Sequence, residues 1–125
     1  KPLVLAVTAL TSLSQEDAQN LGVHGSIEQW VEKLAGLAYG AGIRGLVAST
    51  KELPMLRRKF AGDMKLVIPG IRPAGAALQD QSRAATPAAA IRDGADFIVV
   101  GRPILQAPDP AKAADAIVAE IEQAH

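Results

Sequence analysis

Cysteine is absent from the 125-residue chain, which excludes disulfides and thiolate metal sites and fits a reducing compartment, so the expected location is cytoplasmic. Charge of one sign is not in excess either. Thirteen Lys and Arg balance thirteen Asp and Glu, and no basic run supplies the electrostatic footprint that tracks a nucleic-acid backbone, so nucleic acid is not an expected partner. Apolar runs stop at strand length and no charged segment followed by an apolar one opens the chain, so neither a membrane span nor a secretory signal is expected. An initiator methionine is missing: Lys1-Pro2 leads straight into the apolar run Leu3 to Val7, as expected of an excised fragment. Asp17, Asp80 and Asp96 lack metal-ligand spacing and no paired carboxylates stand out, so neither a metal nor a cofactor is expected. His24 lies in the turn Gly22 to Gly25 and His125 ends the chain. Neither has an Asp, Ser or second His at motif spacing, and no catalytic residue is assigned.

What is present is a core-forming composition, 49% apolar and 21% charged. Four short apolar runs, Leu3 to Thr8, Gly45 to Ala48, Lys65 to Ile68 and Asp96 to Val100, read as buried strands. Between them the period lengthens to that of a helix. Ile27, Trp30, Val31, Leu34, Leu37, Ala38 and Ala41 fall on one helical face, opened by a capping box of Ser26 with Gln29 and stopped at Ala41-Gly42. Ser49 with Glu52 repeats the device ahead of Leu53, Leu56 and Phe60, with Pro54 held in the first turn. Thr86-Pro87 and Asp109-Pro110 each read as a cap followed by Pro at the first helical position. Strand and helix alternate four times, which implies a parallel sheet with right-handed crossovers. Such an array either spreads as an open sheet with helices on both faces or forms half of an eight-stranded barrel, whose full length is about 250 residues. Periodicity does not choose between them.

In both architectures ligands collect at the carboxyl ends of the strands. Gly101-Arg102 follows the fourth strand and precedes a short helix, which aims backbone N–H groups and a guanidinium at an anion; the competing reading is a tight turn with a solvated charge. Gly70 to Ala85 is long for a strand-to-helix loop. Arg72 and Gln81 within it are placed to donate to phosphate oxygens when the loop closes as a lid; the competing reading is an ordinary surface loop. Thr11 and Ser12 follow the first strand, either to hydrogen-bond a ligand or to cap a helix near Gln15 to Asn20.

Leu5-Ala-Val-Thr-Ala-Leu-Thr-Ser12, Pro69-Gly-Ile-Arg-Pro73, Asp80-Gln-Ser-Arg83 with Thr86-Pro87, and Gly94-Ala-Asp-Phe-Ile-Val-Val-Gly-Arg-Pro-Ile104, in this order, resemble the bacterial orotidine 5′-monophosphate decarboxylase family over nearly the whole chain. The last motif is shared with sugar-phosphate decarboxylases and synthases of the same superfamily, so a half-barrel from such an enzyme is a further reading, against which the Thr11 and Arg72 motifs count. Ile68 stands where Thr often precedes Pro-Gly-Ile-Arg, and Ala48 where Cys is frequent; neither is an expected contact. The resemblance implies an α/β fold in which residues 1–125 are one (β/α)4 half-barrel, strands five to eight of a (β/α)8 TIM barrel. It also implies that Thr11 bonds the pyrimidine edge, with Ser12 a neighbour, while Arg72, Gln81, Gly101 and Arg102 hold the 5′-phosphate of orotidine or uridine monophosphate.

The family so resembled is a cofactor-independent carboxy-lyase of pyrimidine biosynthesis that converts orotidine 5′-monophosphate to UMP and carbon dioxide. Its Lys/Asp cluster, in an Asp-x-Lys-x-x-Asp motif at the end of the third strand, has no counterpart here, since Lys51 and Lys65 stand in no such motif. The expectation is the C-terminal, phosphate- and pyrimidine-binding half of a decarboxylase, inactive alone; whether the chain by itself counts as an enzyme stays open. The alternative is an engineered or excised half-barrel whose function is self-association into a barrel-like dimer with a vestigial phosphate site. A homodimer, or pairing with the missing N-terminal half, is expected because half a barrel leaves open strand edges and uncovered apolar side chains.

Overall fold

The computed structural model describes residues 2–9, 13–73 and 85–124. Its elements are β1 (Leu5–Val7), α1 (Gln15–Asn20), α2 (Ile27–Gly40), β2 (Gly45–Val47), α3 (Leu53–Phe60) running into a 3₁₀ turn (Ala61–Asp63), β3 (Lys65–Ile68), α4 (Pro87–Asp93), β4 (Phe97–Ile98), α5 (Arg102–Leu105) and α6 (Pro110–Ala124). The strands are parallel and lie in chain order, with Val7, Val47, Val67 and Phe97 side by side across the sheet. The hydrogen-bonded ladder is shorter than the apolar runs at both edges, although Val99 N still donates to Ile68 O at 3.0 Å.

Strand order decides the architecture. Every crossover steps in the same direction, and right-handed crossovers then place all their helices on one face, whereas a doubly wound sheet needs a reversal of order. Burial agrees with this. Leu46, Ala48, Leu66 and Ile68 on one face are buried, while Leu5, Val7, Phe97 and Val99 on the other are 41–61% exposed. The chain is therefore a (β/α)4 half-barrel, and the open sheet covered on both faces is not formed. The covered face joins Val31, Ala35, Leu53, Leu56 and Ala90 in one cluster; each fully buried Leu or Ile contributes about 1.5–3 kcal/mol.

The capping box of α2 forms in both directions: Ser26 Oγ accepts from Gln29 N at 3.1 Å, and Gln29 Oε1 accepts from Ser26 N at 3.0 Å. Its buried seam is rotated from the expected stripe. Ile27, Val31 and Ala35 are buried, whereas Leu37 is 63% exposed. The cause is α3, which meets the flank carrying Glu32 and Tyr39 through a Glu32–Lys59 ion pair at 3.6 Å and a Tyr39–Phe60 ring contact at 5.3 Å. Leu37 falls on the opposite flank.

Two caps differ from expectation. Before α3 the N-cap is Glu52, not Ser49, and its side chain makes no cap bond: the Glu52 N–H goes to the Ser49 carbonyl at 3.2 Å, and the helix begins at Leu53 with Pro54 in its first turn. Pro54 has no N–H to be capped, so the helix starts without one. At α1 the cap is Ser14, whose Oγ accepts from Asp17 N at 3.0 Å while Asp17 Oδ2 accepts from Ser14 N at 3.1 Å. The capping role weighed for Thr11 and Ser12 thus belongs to Ser14. The Ser14 backbone N–H, and then its hydroxyl, hold the Asp17 carboxyl below the usual carboxylate range.

At the amino ends of β3 and β4 a single guanidinium ties three elements. Arg57 of α3 donates from Nε to Gly94 O at 3.0 Å, from Nη1 to Met64 O at 3.1 Å and to Ala61 O, and from Nη2 to Asp96 Oδ2 at 2.6 Å. The same Asp96 oxygen accepts from Leu66 N at 2.8 Å. Gly94, at φ +115°, ends α4 in the left-handed region, and a Cβ there would come within 2.7 Å of Arg57 Cγ.

Candidate anion-binding site

The carboxyl ends of β3 and β4 are built differently from their amino ends. β3 runs into Pro69-Gly70, where Gly70 at φ +75° turns the chain through a conformation that glycine adopts without strain. Ile71, 3% exposed, then bridges to Ala85, and Arg72 N donates to Ala85 O at 2.9 Å. These contacts fix the backbone that carries the Arg72 side chain. β4 continues through Val99 to Gly101, whose carbonyl accepts from Ile104 N and Leu105 N at 3.0 Å each, opening the single turn of α5 with Pro103 near its start. A Cβ on Gly101 would meet no heavy atom within 4 Å. This residue therefore borders open space.

That space is a cavity of about 280 Å³ between the two loops, lined by Pro69, Gly70, Ile71 and Arg72 from one and Val99, Gly101, Arg102 and Pro103 from the other. It lies at the low end of the volumes that hold small ligands. Arg72 Nε is buried and has no hydrogen-bond partner among the described residues. A buried donor of a charged group costs free energy when left unmatched, and an anion in the cavity would supply the acceptor. Among the described residues the lining holds no Asp, Glu, His or Lys. The described lining presents positive charge and fixed geometry, without a group of its own to give or take a proton.

Three of the five expected substrate-binding residues, Arg72, Gly101 and Arg102, therefore meet on one cavity. Thr11 and Gln81 lie outside the described residues, as do Ser12 and most of the expected lid, residues 74–84. His24 lines a different hollow of about 370 Å³, together with Gly22, Val23, Gln29, Trp30 and Lys33. The sequence reading assigned Ser49 and Glu52 to a helix cap, but the structure buries both, at 8% and 2% exposure, just beyond the carboxyl end of β2. Their position directly after an apolar run was the available signal. Among the described residues no group of three His, Asp or Glu side chains is disposed to hold a metal, and no helix is long and apolar enough to cross a membrane.

The family model for orotidine 5′-phosphate decarboxylase / HUMPS matches residues 1–117. Orotidine 5′-phosphate decarboxylase of Geotalea daltonii is 52% identical over 118 residues, covering 94% of this chain and 49% of the relative, and that of Geobacter sulfurreducens gives the same figures. Among solved structures, orotidine 5′-phosphate decarboxylase from Lactobacillus acidophilus superposes with a TM-score of 0.81 at 37% identity, covering 96% of this chain and 49% of that one. The chain spans about half the length of the curated relatives it matches, as four strands are half of an eight-stranded barrel. With parallel strands in chain order, one covered face and this extent of match, the chain belongs to the orotidine 5′-phosphate decarboxylase / HUMPS family.

Proposed function

We propose that residues 1–125 form one structural unit, strands five to eight of a decarboxylase barrel, and that they supply its grip on the substrate phosphate. One observation carries this reading: among the described residues the buried Arg72 Nε lacks an acceptor, on a cavity it shares with Gly101 and Arg102. The ligand is the 5′-phosphate of orotidine or uridine monophosphate, a class taken from the activity named for the relatives at 52% identity. Arg72 and Arg102 approach it from two loops, and guanidinium forks suit phosphate oxygens. Gln81 adds a phosphate contact from the long loop, and Thr11 bonds the pyrimidine edge from beyond β1.

Phosphate binding is part of catalysis without being the chemistry. The parent reaction is a lyase step of pyrimidine biosynthesis in the cytoplasm. Losing carbon dioxide leaves a carbanion that must be protonated, and the described cavity lining offers no proton donor of the Lys type. The Asp-x-Lys-x-x-Asp cluster comes from residues outside these 125. Binding energy at the phosphate organises the reacting end once that other half is joined. The test is a decarboxylation assay with orotidine 5′-monophosphate. Expected is no turnover by the 125-residue chain alone, and turnover when a half carrying the Asp-x-Lys-x-x-Asp motif is added. Turnover above a blank by the rigorously purified chain alone would falsify the proposal.

A further inference from the structure

The two loops that enclose the anion cavity each lead into a helix, α4 beyond the Arg72 loop and α5 beyond Gly101, and α6 packs against both helices. A polar bond joins α6 to α4. Glu120 Oε2 accepts from Ala88 N at 3.0 Å. The first N–H groups of a helix have no partner within it, and in α4 they are met from two sides. Pro87 has no N–H, Thr86 Oγ1 accepts from Ala89 N at 3.2 Å, and Glu120 takes the Ala88 N–H between them. Ile117, three residues earlier on the same face of α6, is buried, as are Pro87 and Ala90 of α4, so the carboxylate acts from a packed frame. From Ala88 the contacts lead back to the site. Thr86 is extended at φ −77° and ψ 156°, as a residue before proline must be, and the Pro87 ring fixes the next φ. This stiff link ends at Ala85, whose carbonyl accepts from Arg72 N at 2.9 Å and which bridges to Ile71.

We infer that Glu120 is a positioning residue for the phosphate grip: by holding Ala88 N it fixes the start of α4 and, through the Thr86-Pro87 link and the Ala85 carbonyl, the backbone that carries Arg72. The inference rests on the phosphate reading of the cavity. Glu120 is not among the lining residues, so it acts through Arg72 and not on the ligand. A guanidinium fork binds phosphate well only when its N–H groups face the oxygens, and misplacement by about an ångström is costly. Pinning the backbone in advance spares that ordering cost when the ligand arrives. Arg102 stands on the other loop. Its backbone is set where the Gly101 carbonyl accepts from Ile104 N and Leu105 N, a path that does not pass through Ala85. Glu120 therefore serves one of the two guanidiniums.

The test is calorimetry of UMP and of uridine, with amide exchange of the Arg72 N–H, in the natural chain and in Glu120→Ala, Glu120→Gln and Glu120→Asp. Gln keeps an acceptor at the same reach without the charge; Asp keeps the charge but falls one methylene short. Ala and Asp should weaken UMP binding by about threefold to tenfold, leave uridine nearly unchanged and quicken Arg72 N–H exchange, while Gln stays within about twofold of the natural chain. In an Arg72→Ala background Glu120→Ala should weaken UMP no further, whereas with Arg102→Ala the two losses should multiply. Equal losses for UMP and uridine, a loss as large in Gln as in Ala, or losses that multiply in the Arg72→Ala background overturn the inference. If Glu120→Ala fails to fold, the Gln and Asp variants decide. The two readings fail separately: a natural chain that binds UMP no better than uridine removes the phosphate site, and a chain that prefers UMP equally well with Asp at position 120 removes only the positioning role.

Discussion

At the amino ends of β3 and β4, Arg57 spends its guanidinium on the carbonyls of Gly94, Met64 and Ala61 and on Asp96; at the carboxyl ends, Arg72 lies with a buried Nε unmatched among the described residues. The same side chain thus has two uses separated by the length of a four-residue strand. Where its donors are matched within the chain, arginine holds elements together. Where a donor is left over beside a cavity, as at Arg72, it is the group we propose for a ligand. The contrast follows the general division of (β/α)8 barrels into a stabilising amino-end face and a functional carboxyl-end face.

The contrast breaks most visibly at Arg57. Removing it leaves the Leu66–Asp96 end of the sheet with a partly buried carboxylate and several unmatched carbonyls, so Arg57→Ala should cost about 2–3 kcal/mol of stability in a denaturant melt. Arg72→Ala, which removes a donor unmatched among the described residues, should cost less, about 1 kcal/mol at most. Equal losses at the two sites would dissolve the distinction between the ends.

Glycine sharpens it. Gly94 is held at φ +115° with Arg57 packed over it, while Gly101 faces open space. Gly94→Ala should destabilise by about 1–2 kcal/mol, and Gly101→Ala by a few tenths at most. Thermal melts of the pair check this, and a larger loss at Gly101 would mean that its loop is under strain and not open to a ligand.

The smallest effect expected is on acid stability near the carboxyl end of β1. Asp17 has a depressed pKa through its bonds with Ser14, so its contribution to α1 is present above the carboxyl's unfolded value and is lost as pH falls through the folded one. Asp17 is fully exposed and screened, which keeps the effect local. Amide exchange in α1 should quicken on acidification in the natural chain and be nearly pH-independent in Asp17→Asn once intrinsic exchange is corrected.

Much of the fold was legible because the deciding signals are local. The four apolar runs, the Ser26–Gln29 box and the Thr86-Pro87 start are properties of a few neighbouring residues, and the structure carries each of them. Leu37 was misplaced because its exposure depends on where α3 lands, a tertiary fact that helical periodicity does not contain. Ser49 and Glu52 satisfied a capping pattern, but Pro54 moved the helix start past them. The open sheet and the half-barrel share one pattern of periods and separate only through strand order, which is global. At the site, Gly101-Arg102 and Arg72 were legible as charge beside glycine after a strand. Their meeting on one cavity required the parallel register of β3 with β4.

The most direct measurement is titration calorimetry of UMP and of uridine into the natural chain and into Arg72→Ala and Arg102→Ala. Each substitution should weaken UMP binding by about tenfold or more, the size of a charge-assisted hydrogen bond lost, and leave uridine binding nearly unchanged. Equal loss for UMP and uridine, or no loss for either, would contradict the assignment of this cavity to phosphate.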